Sequence, residues 1–112
     1  MKEFERVVLE KIKAYAEQAI LFKGNMTFSE FSADAKTISA CVFNLSQIGE
    51  LAGKLSREFA EINDHIPWRK IKGMRNRIVH DYENVDFKVL WGTVEASLPE
   101  LKEQLAALLN AL

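Results

Sequence analysis

Apolar residues recur at alternating steps of four and three residues through the segment 31–52. This spacing brings every member of the series onto one face of an α-helix, because a helical turn takes about 3.6 residues. No comparable stretch of the chain alternates apolar and polar residues as a half-buried β-strand does. The series therefore predicts an all-α fold whose helices pack along apolar stripes. Its members are Phe31, Ala35, Ile38, Val42, Leu45, Gly49 and Ala52.

Two helical stretches are predicted in the first half of the chain. The first runs from about residue 2 to residue 23 and stops at Gly24, a residue typical of helix C-termini. The second begins near Thr27, which has Glu30 three residues later, the spacing of a capping box. Its apolar stripe continues without a break toward residues 59–64, so one long helix is expected there.

Two further helical stretches are predicted in the second half. The third starts at Pro67, since proline suits the first position of a helix, and ends near residues 82–84. The fourth starts after Asp86 as N-cap and meets Pro99, where we expect a kink or a restart capped by Ser97. Because the connections are short, an antiparallel up-down four-helix bundle is predicted, with its last helix kinked or split at Pro99.

Length and composition narrow the class of protein further. A chain of 112 residues with 48% hydrophobic content predicts a single domain over 1–112. The single cysteine, Cys41, has no partner for an internal disulfide, so a reducing cytoplasm is the expected location. No apolar run approaches the roughly 20 residues that a membrane span requires, and no membrane association is expected.

The charged residues are unevenly distributed. The segment 66–79 holds five basic residues and no acidic one, whereas the rest of the chain has 10 basic and 16 acidic residues. This basic segment indicates a local anion site, although a solvated basic helix face would give the same pattern. Its members are Arg69, Lys70, Lys72, Arg75 and Arg77.

The third helix separates its polar residues into two groups. On a helical wheel Asn76, His80 and Arg69 lie opposite the apolar face, around Gly73, whereas Arg75 lies about 140° from His80. Helix distortion, the reach of a long guanidinium, or a two-fold dimer could each bring Arg75 to His80. Alternatively, Arg75 pairs with an acid of the bundle such as Glu50 or Asp34.

The residue types around His80 suit metal-free cleavage of RNA. Histidine exchanges protons near neutral pH, and arginine offers a bidentate fork to a phosphate that gains charge. A histidine base would free the 2′-hydroxyl, which attacks the adjacent phosphorus. No metal or other cofactor is expected, because the chain has one Cys, two distant His and no carboxylate pair near His80. His65 lacks such neighbours and is expected to be an ordinary surface residue.

The segment Arg75-Asn76-Arg77-Ile78-Val79-His80-Asp81-Tyr82 resembles the Arg-x4-His-x-Tyr motif of HepT-like toxins, a family of HEPN-domain ribonucleases. The string from Ile66 to Arg77 is also similar to that family, as are Ile48-Gly49-Glu50 and the later Val85-Asp86 with Trp91. The resemblance covers nearly the whole chain.

This resemblance implies a fold, an activity and partners. The fold is an HEPN-like helical bundle that forms a homodimer, with the two motifs facing each other across a cleft. The activity is metal-independent cleavage of RNA by Arg75 and His80, with Asn76 orienting the phosphate or the histidine. The resemblance further implies a toxin–antitoxin pair, in which a minimal nucleotidyltransferase (MNT) antitoxin transfers AMP to Tyr82. From the basic segment, Arg69 and Arg77 are added as candidate phosphate-binding residues.

Two other functions are compatible with the sequence. The chain could be a non-catalytic subunit that presents substrate or nucleotide to a minimal nucleotidyltransferase, since no acidic residue is positioned to tune His80. It could also be a purely structural helical dimerisation protein. The basic segment and the glycine on its polar face favour a binding site over the structural role.

Overall fold

The computed structural model describes residues 1–80 and 84–111, without the side chains of residues 78–80. Within these ranges the chain is helical and contains no β-strand, which confirms the all-α prediction. The segments are α1 (Glu3–Lys23), α2 (Phe28–Ser32), α3 (Ala35–Ala52), α4 (Arg57–Ile62), α5 (Trp68–His80), α6 (Phe87–Gly92), a π-helical turn (Thr93–Ser97) and α7 (Leu98–Asn110).

The second predicted stretch is three helices rather than one. The capping box is present, because Thr27 Oγ1 accepts from Glu30 N and the Glu30 carboxylate accepts from Thr27 N. The prediction of an unbroken helix is wrong, because Asp34 caps α3 by accepting from Thr37 N and Ser56 caps α4 by accepting from Phe59 N. Both side chains satisfy backbone N–H groups locally and so start new helices inside an apolar stripe.

The last predicted stretch is split just before Pro99, as expected, because a π-helical turn separates α6 from α7, whose first turn holds the proline. Asp86 caps α6 as expected, by accepting from the backbone N–H groups of Lys88 and Val89. Ser97, predicted as a cap, has helical backbone angles and no capping hydrogen bond. The irregularity is the π-helical turn just before Pro99, which lies in the first turn of α7. Proline has no N–H to donate to the preceding turn, and the wider turn accommodates it.

The long helices pack side by side around a common apolar core. α3 lies between α1 and α5, and α1 also packs against the π-helical turn and α7. Among the described residues, fully buried side chains are contributed to this core by α1, α3, α6, the π-helical turn and α7. They include Leu9, Ile12, Cys41, Ile48, Leu90, Val94 and Leu105.

An ion pair made by a buried lysine ties the end of α1 to the π-helical turn. Lys23 is 5% exposed, pairs with Glu95 and lies 5.5 Å from the centroid of the Trp91 ring. The Trp91 indole N–H donates to the carbonyl of Met26 at 3.3 Å. These contacts fix the chain around Gly24, whose positive φ of 52° is rarely adopted by residues with a Cβ.

Candidate functional site

The start of α5 is anchored by two buried residues. Ile66 and Trp68 are 1% and 6% exposed, and the Trp68 indole N–H donates to Asn63 O at 3.1 Å. α5 begins at Trp68, one residue after the predicted start at Pro67, and the Pro67 carbonyl accepts from Ile71 N. The apolar side chains of Ile71 and Met74 pack against the core. This anchoring leaves four of the five basic residues of α5 exposed, whereas Arg75 is partly buried.

Arg75 sits directly on Gly49 where α5 crosses α3. A Cβ at Gly49 would lie 1.9 Å from the Arg75 Cβ and 2.6 Å from its Cγ. Any side chain at position 49 would therefore require the two helices to move apart. The glycine allows the stem of Arg75 to lie against the α3 backbone, and this close approach determines the course of its side chain.

The guanidinium of Arg75 is held from two sides. Its Nη2 lies 2.8 Å from Glu50 Oε2, and its Nη1 donates to Asn76 Oδ1 at 3.1 Å. The pairing of Arg75 with Glu50, one of the alternatives considered above, is thus present. Because each terminal nitrogen carries two hydrogens, each keeps one N–H after these contacts are made. The Arg75 side chain is 30% exposed, so a ligand can approach these groups.

A shallow depression of about 350 Å³ surrounds this guanidinium. Its walls come from the end of α3, the residues that follow it, and the adjacent face of α5. It contains three basic side chains and one acidic side chain, so it favours an anion. The lining residues are Gly49, Glu50, Gly53, Lys54, Lys72, Arg75 and Asn76.

The other predicted site residues do not line the depression around Arg75 in the described part of the structure. Arg69 is exposed and lines a neighbouring depression, whereas Arg77 is exposed beside Asp86 and Val89. His80 is the last residue of α5, and its side chain lies outside the described part of the structure. Tyr82 also lies outside the described residues. The structure therefore brings Asn76 to Arg75, and it leaves Arg69 and Arg77 on other parts of the helix surface.

Lys54 belongs to the depression although no sequence motif singled it out. The sequence predicted Lys72 only as one member of the basic segment, not as a site residue. The signal that could have found both is a pair of glycines about one helical turn apart, Gly49 near the end of α3 and Gly53 directly after it. Two missing side chains in succession leave a bare strip of backbone, against which the residues of a neighbouring helix can lie.

Neither a metal centre nor a reactive cysteine accompanies this depression. In the described part of the chain, no group of three or more His, Cys, Asp or Glu side chains is arranged to hold a metal ion. Burial raises the pKa of the Cys41 thiol to about 11, so it stays protonated near neutral pH and is a poor nucleophile. Among the described helices, none has the length and apolar character needed to cross a membrane.

Comparison with known proteins gives a consistent assignment. A sequence model of the family described as "Ribonuclease HepT-like" matches residues 9–108. A Thermococcus cleftensis protein named as a probable ribonuclease HepT is 35% identical over 102 residues, which cover 91% of this chain and 93% of that protein. A protein of Caldanaerobacter subterraneus subsp. tengcongensis, named as a candidate RNase, is 34% identical over 105 residues, 94% of each chain. No solved structure is significantly similar.

Proposed function

The chain belongs to the HepT-like ribonuclease family, and from that membership we propose that it is a metal-independent endoribonuclease. One observation supports the proposal above others. The guanidinium of Arg75 is fixed by Glu50 and Asn76 in a basic depression, with two terminal N–H groups still free to bind a phosphate. A preorganised donor of this kind stabilises charge that develops on phosphate oxygens in the transition state.

The reaction that fits these residues is an internal transfer at phosphorus. His80 accepts the proton of a 2′-hydroxyl, and the 2′-oxygen forms a bond to the adjacent phosphorus. Arg75 binds the equatorial oxygens as they gain charge, and Asn76 keeps its guanidinium in position. The bond from phosphorus to the 5′-oxygen then breaks, that oxygen takes a proton from water, and the proton held by His80 returns to solvent. The products are a 2′,3′-cyclic phosphate and a 5′-hydroxyl.

In this proposal, Arg69 and Arg77 bind the RNA at a distance from the reacting phosphate. Both are exposed on α5, and neither has an ion pair among the described residues. We assign them to backbone phosphates further along the RNA, where an arginine adds affinity without specifying sequence.

We further propose that the protein is the toxin of a cytoplasmic toxin–antitoxin pair and works as a homodimer. Its partner is a minimal nucleotidyltransferase that transfers AMP to Tyr82, two residues after His80. An AMP group there would put a negative charge where the RNA backbone binds, and so exclude substrate. Co-expression with such a transferase followed by intact-mass measurement tests this, because the AMP increment should be absent in Tyr82→Phe.

The activity itself is tested with purified protein and single-stranded RNA in the presence of EDTA. We expect cleavage by the wild type and at least a hundredfold loss in His80→Ala and in Arg75→Ala, the usual scale for a general base or a charge-stabilising donor. His65→Ala is the matched control, since it removes the other, exposed histidine. Cleavage that persists in His80→Ala would overturn the mechanism. Binding without any cleavage would favour the non-catalytic partner subunit.

A further inference from the structure

Two lysines complete the depression around Arg75 on the side of Gly53. Lys54 follows Gly53 directly, and the Lys72 Cδ lies 3.9 Å from the position that a Gly53 Cβ would occupy. Both lysines are exposed, and neither side-chain ammonium makes a hydrogen bond or an ion pair within the part of the chain that the structure describes. Their charges are therefore available to an incoming anion.

Lys72 also connects this depression to a second one. The second depression has a volume of about 690 Å³. Arg69 and Lys72 line it beside the acids Glu61 and Asp64, and Arg57, which also lines it, pairs with Glu61. This depression lies toward the start of α5, so basic side chains follow one another along the surface from Arg75 through Lys72 to Arg69. Lys72 precedes Arg75 by three residues, which is about 4.5 Å along the helix axis. A chain of phosphates could pass along this path.

We propose that Lys54 and Lys72 form a second phosphate subsite, which binds the phosphate next to the scissile one in a single-stranded RNA. The inference rests on the proposed ribonuclease function. It adds that the RNA substrate must extend at least one phosphate beyond the scissile one. Arg75 engages the reacting phosphate, and the lysine pair engages its neighbour. Since a lysine ammonium is a point charge without a fixed fork, this subsite binds phosphate without reading the base.

The position of Lys70 separates this proposal from a general effect of basic charge. Lys70 belongs to the same helix and the same basic segment, but it lines a different groove, beside Ile71, Met74 and Glu100. A diffuse electrostatic attraction would depend on Lys70 and Lys72 alike. A defined subsite depends on Lys72 and Lys54 much more than on Lys70.

The test measures binding of a fluorescently labelled single-stranded RNA to protein carrying His80→Ala, over a series of salt concentrations. The plot of log K against log salt has a negative slope, and each lost phosphate contact reduces the magnitude of that slope by about 0.7 for a single strand. We expect that decrease for Lys54→Ala and for Lys72→Ala, and recovery in Lys72→Arg. Lys36→Ala, which removes an exposed charge at the far end of α3, is the control. Thermal unfolding of each variant verifies that it is folded.

The outcomes distinguish the two levels of the proposal. If the parent protein binds RNA and Lys70→Ala or Lys36→Ala weakens binding as much as Lys72→Ala, the subsite is overturned and the ribonuclease function stands. If the parent protein binds no RNA and the wild type cleaves none, the function itself fails. A second arm compares cleavage of RNA with one and with several phosphates, and the subsite requires better cleavage of the longer RNA.

Discussion

Glu50 is the residue that decides how Arg75 meets its ligand. Its carboxylate is 52% exposed, and ion pairs at such positions contribute little to the free energy of folding. Its larger effect is geometric, because it holds Nη2 at 2.8 Å and so limits the rotation of the guanidinium. The same negative charge also lies close to the site of an incoming phosphate, which it repels.

Glu50→Gln should therefore affect binding and turnover in opposite directions. RNA should bind more tightly because a repulsive charge is gone, whereas kcat should fall by about tenfold because Arg75 is less well oriented. Steady-state kinetics measure both, with RNA binding measured in the His80→Ala background. Glu17→Gln is the matched control, since Glu17 is a partly exposed acid in an ion pair with Lys13 on α1. A normal kcat with a raised KM would show that Glu50 does not orient Arg75.

At the scale of elements, the crossing of α3 and α5 depends on one missing side chain. Gly49 and Gly73 both lie inside helices, so propensity alone predicts that alanine stabilises each position by about 1 kcal/mol. Their surroundings differ, because a Cβ at Gly73 meets nothing within 4 Å and a Cβ at Gly49 meets Arg75 at 1.9 Å. Packing should therefore make alanine destabilising at position 49, although helix propensity alone predicts that it stabilises.

The prediction is that Gly73→Ala raises the free energy of unfolding and Gly49→Ala lowers it. Overpacking at a close helix contact costs about 1–3 kcal/mol, which outweighs the gain in helix propensity. Urea unfolding of the two variants beside the wild type measures the difference. Because Gly49→Ala also shifts the stem of Arg75, cleavage should fall even in conditions where the variant remains folded. Equal stabilisation by both substitutions would contradict the close packing of Arg75 on Gly49.

The sequence predicted the helices better than it predicted the site. Stripes and end signals located α1, α5 and the start of α6, because these depend on nearby residues. The breaks at Asp34 and Ser56 were missed, since the apolar stripe runs on across both caps. The depression beside Arg75 was missed because it arises only where Gly49 of α3 and Gly53, which follows α3, meet α5. No local sequence pattern indicates which helix will pack against a glycine.

At the scale of the whole molecule, the position of α5 bears on how a complete active site is assembled. Among the described residues, α5 packs mainly against α3. It is α-helical through His80, so positions 75 and 80 differ by about 140° around its axis. One helix therefore directs Arg75 and position 80 to different sides. The proposed two-fold dimer would bring both sides of the two copies of α5 to one interface.

If Arg75 of one protomer works with His80 of its partner, two inactive variants should complement each other. A heterodimer with Arg75→Ala in one protomer and His80→Ala in the other keeps one complete site of two, so about half of wild-type activity is expected. Two different affinity tags and successive purification isolate this heterodimer after co-expression, and light scattering verifies its mass.

The reverse combination makes the experiment decisive. A heterodimer of wild-type protein with the double variant Arg75→Ala/His80→Ala contains the same total number of altered residues. If sites form between protomers, neither site of this heterodimer is complete, because each lacks either the arginine or the histidine, and cleavage should be lost. If each site forms within one protomer, the two results exchange: the wild-type protomer keeps half of the activity, and the heterodimer of single variants is inactive. Loss of activity in both heterodimers would instead require all four residues in one composite site.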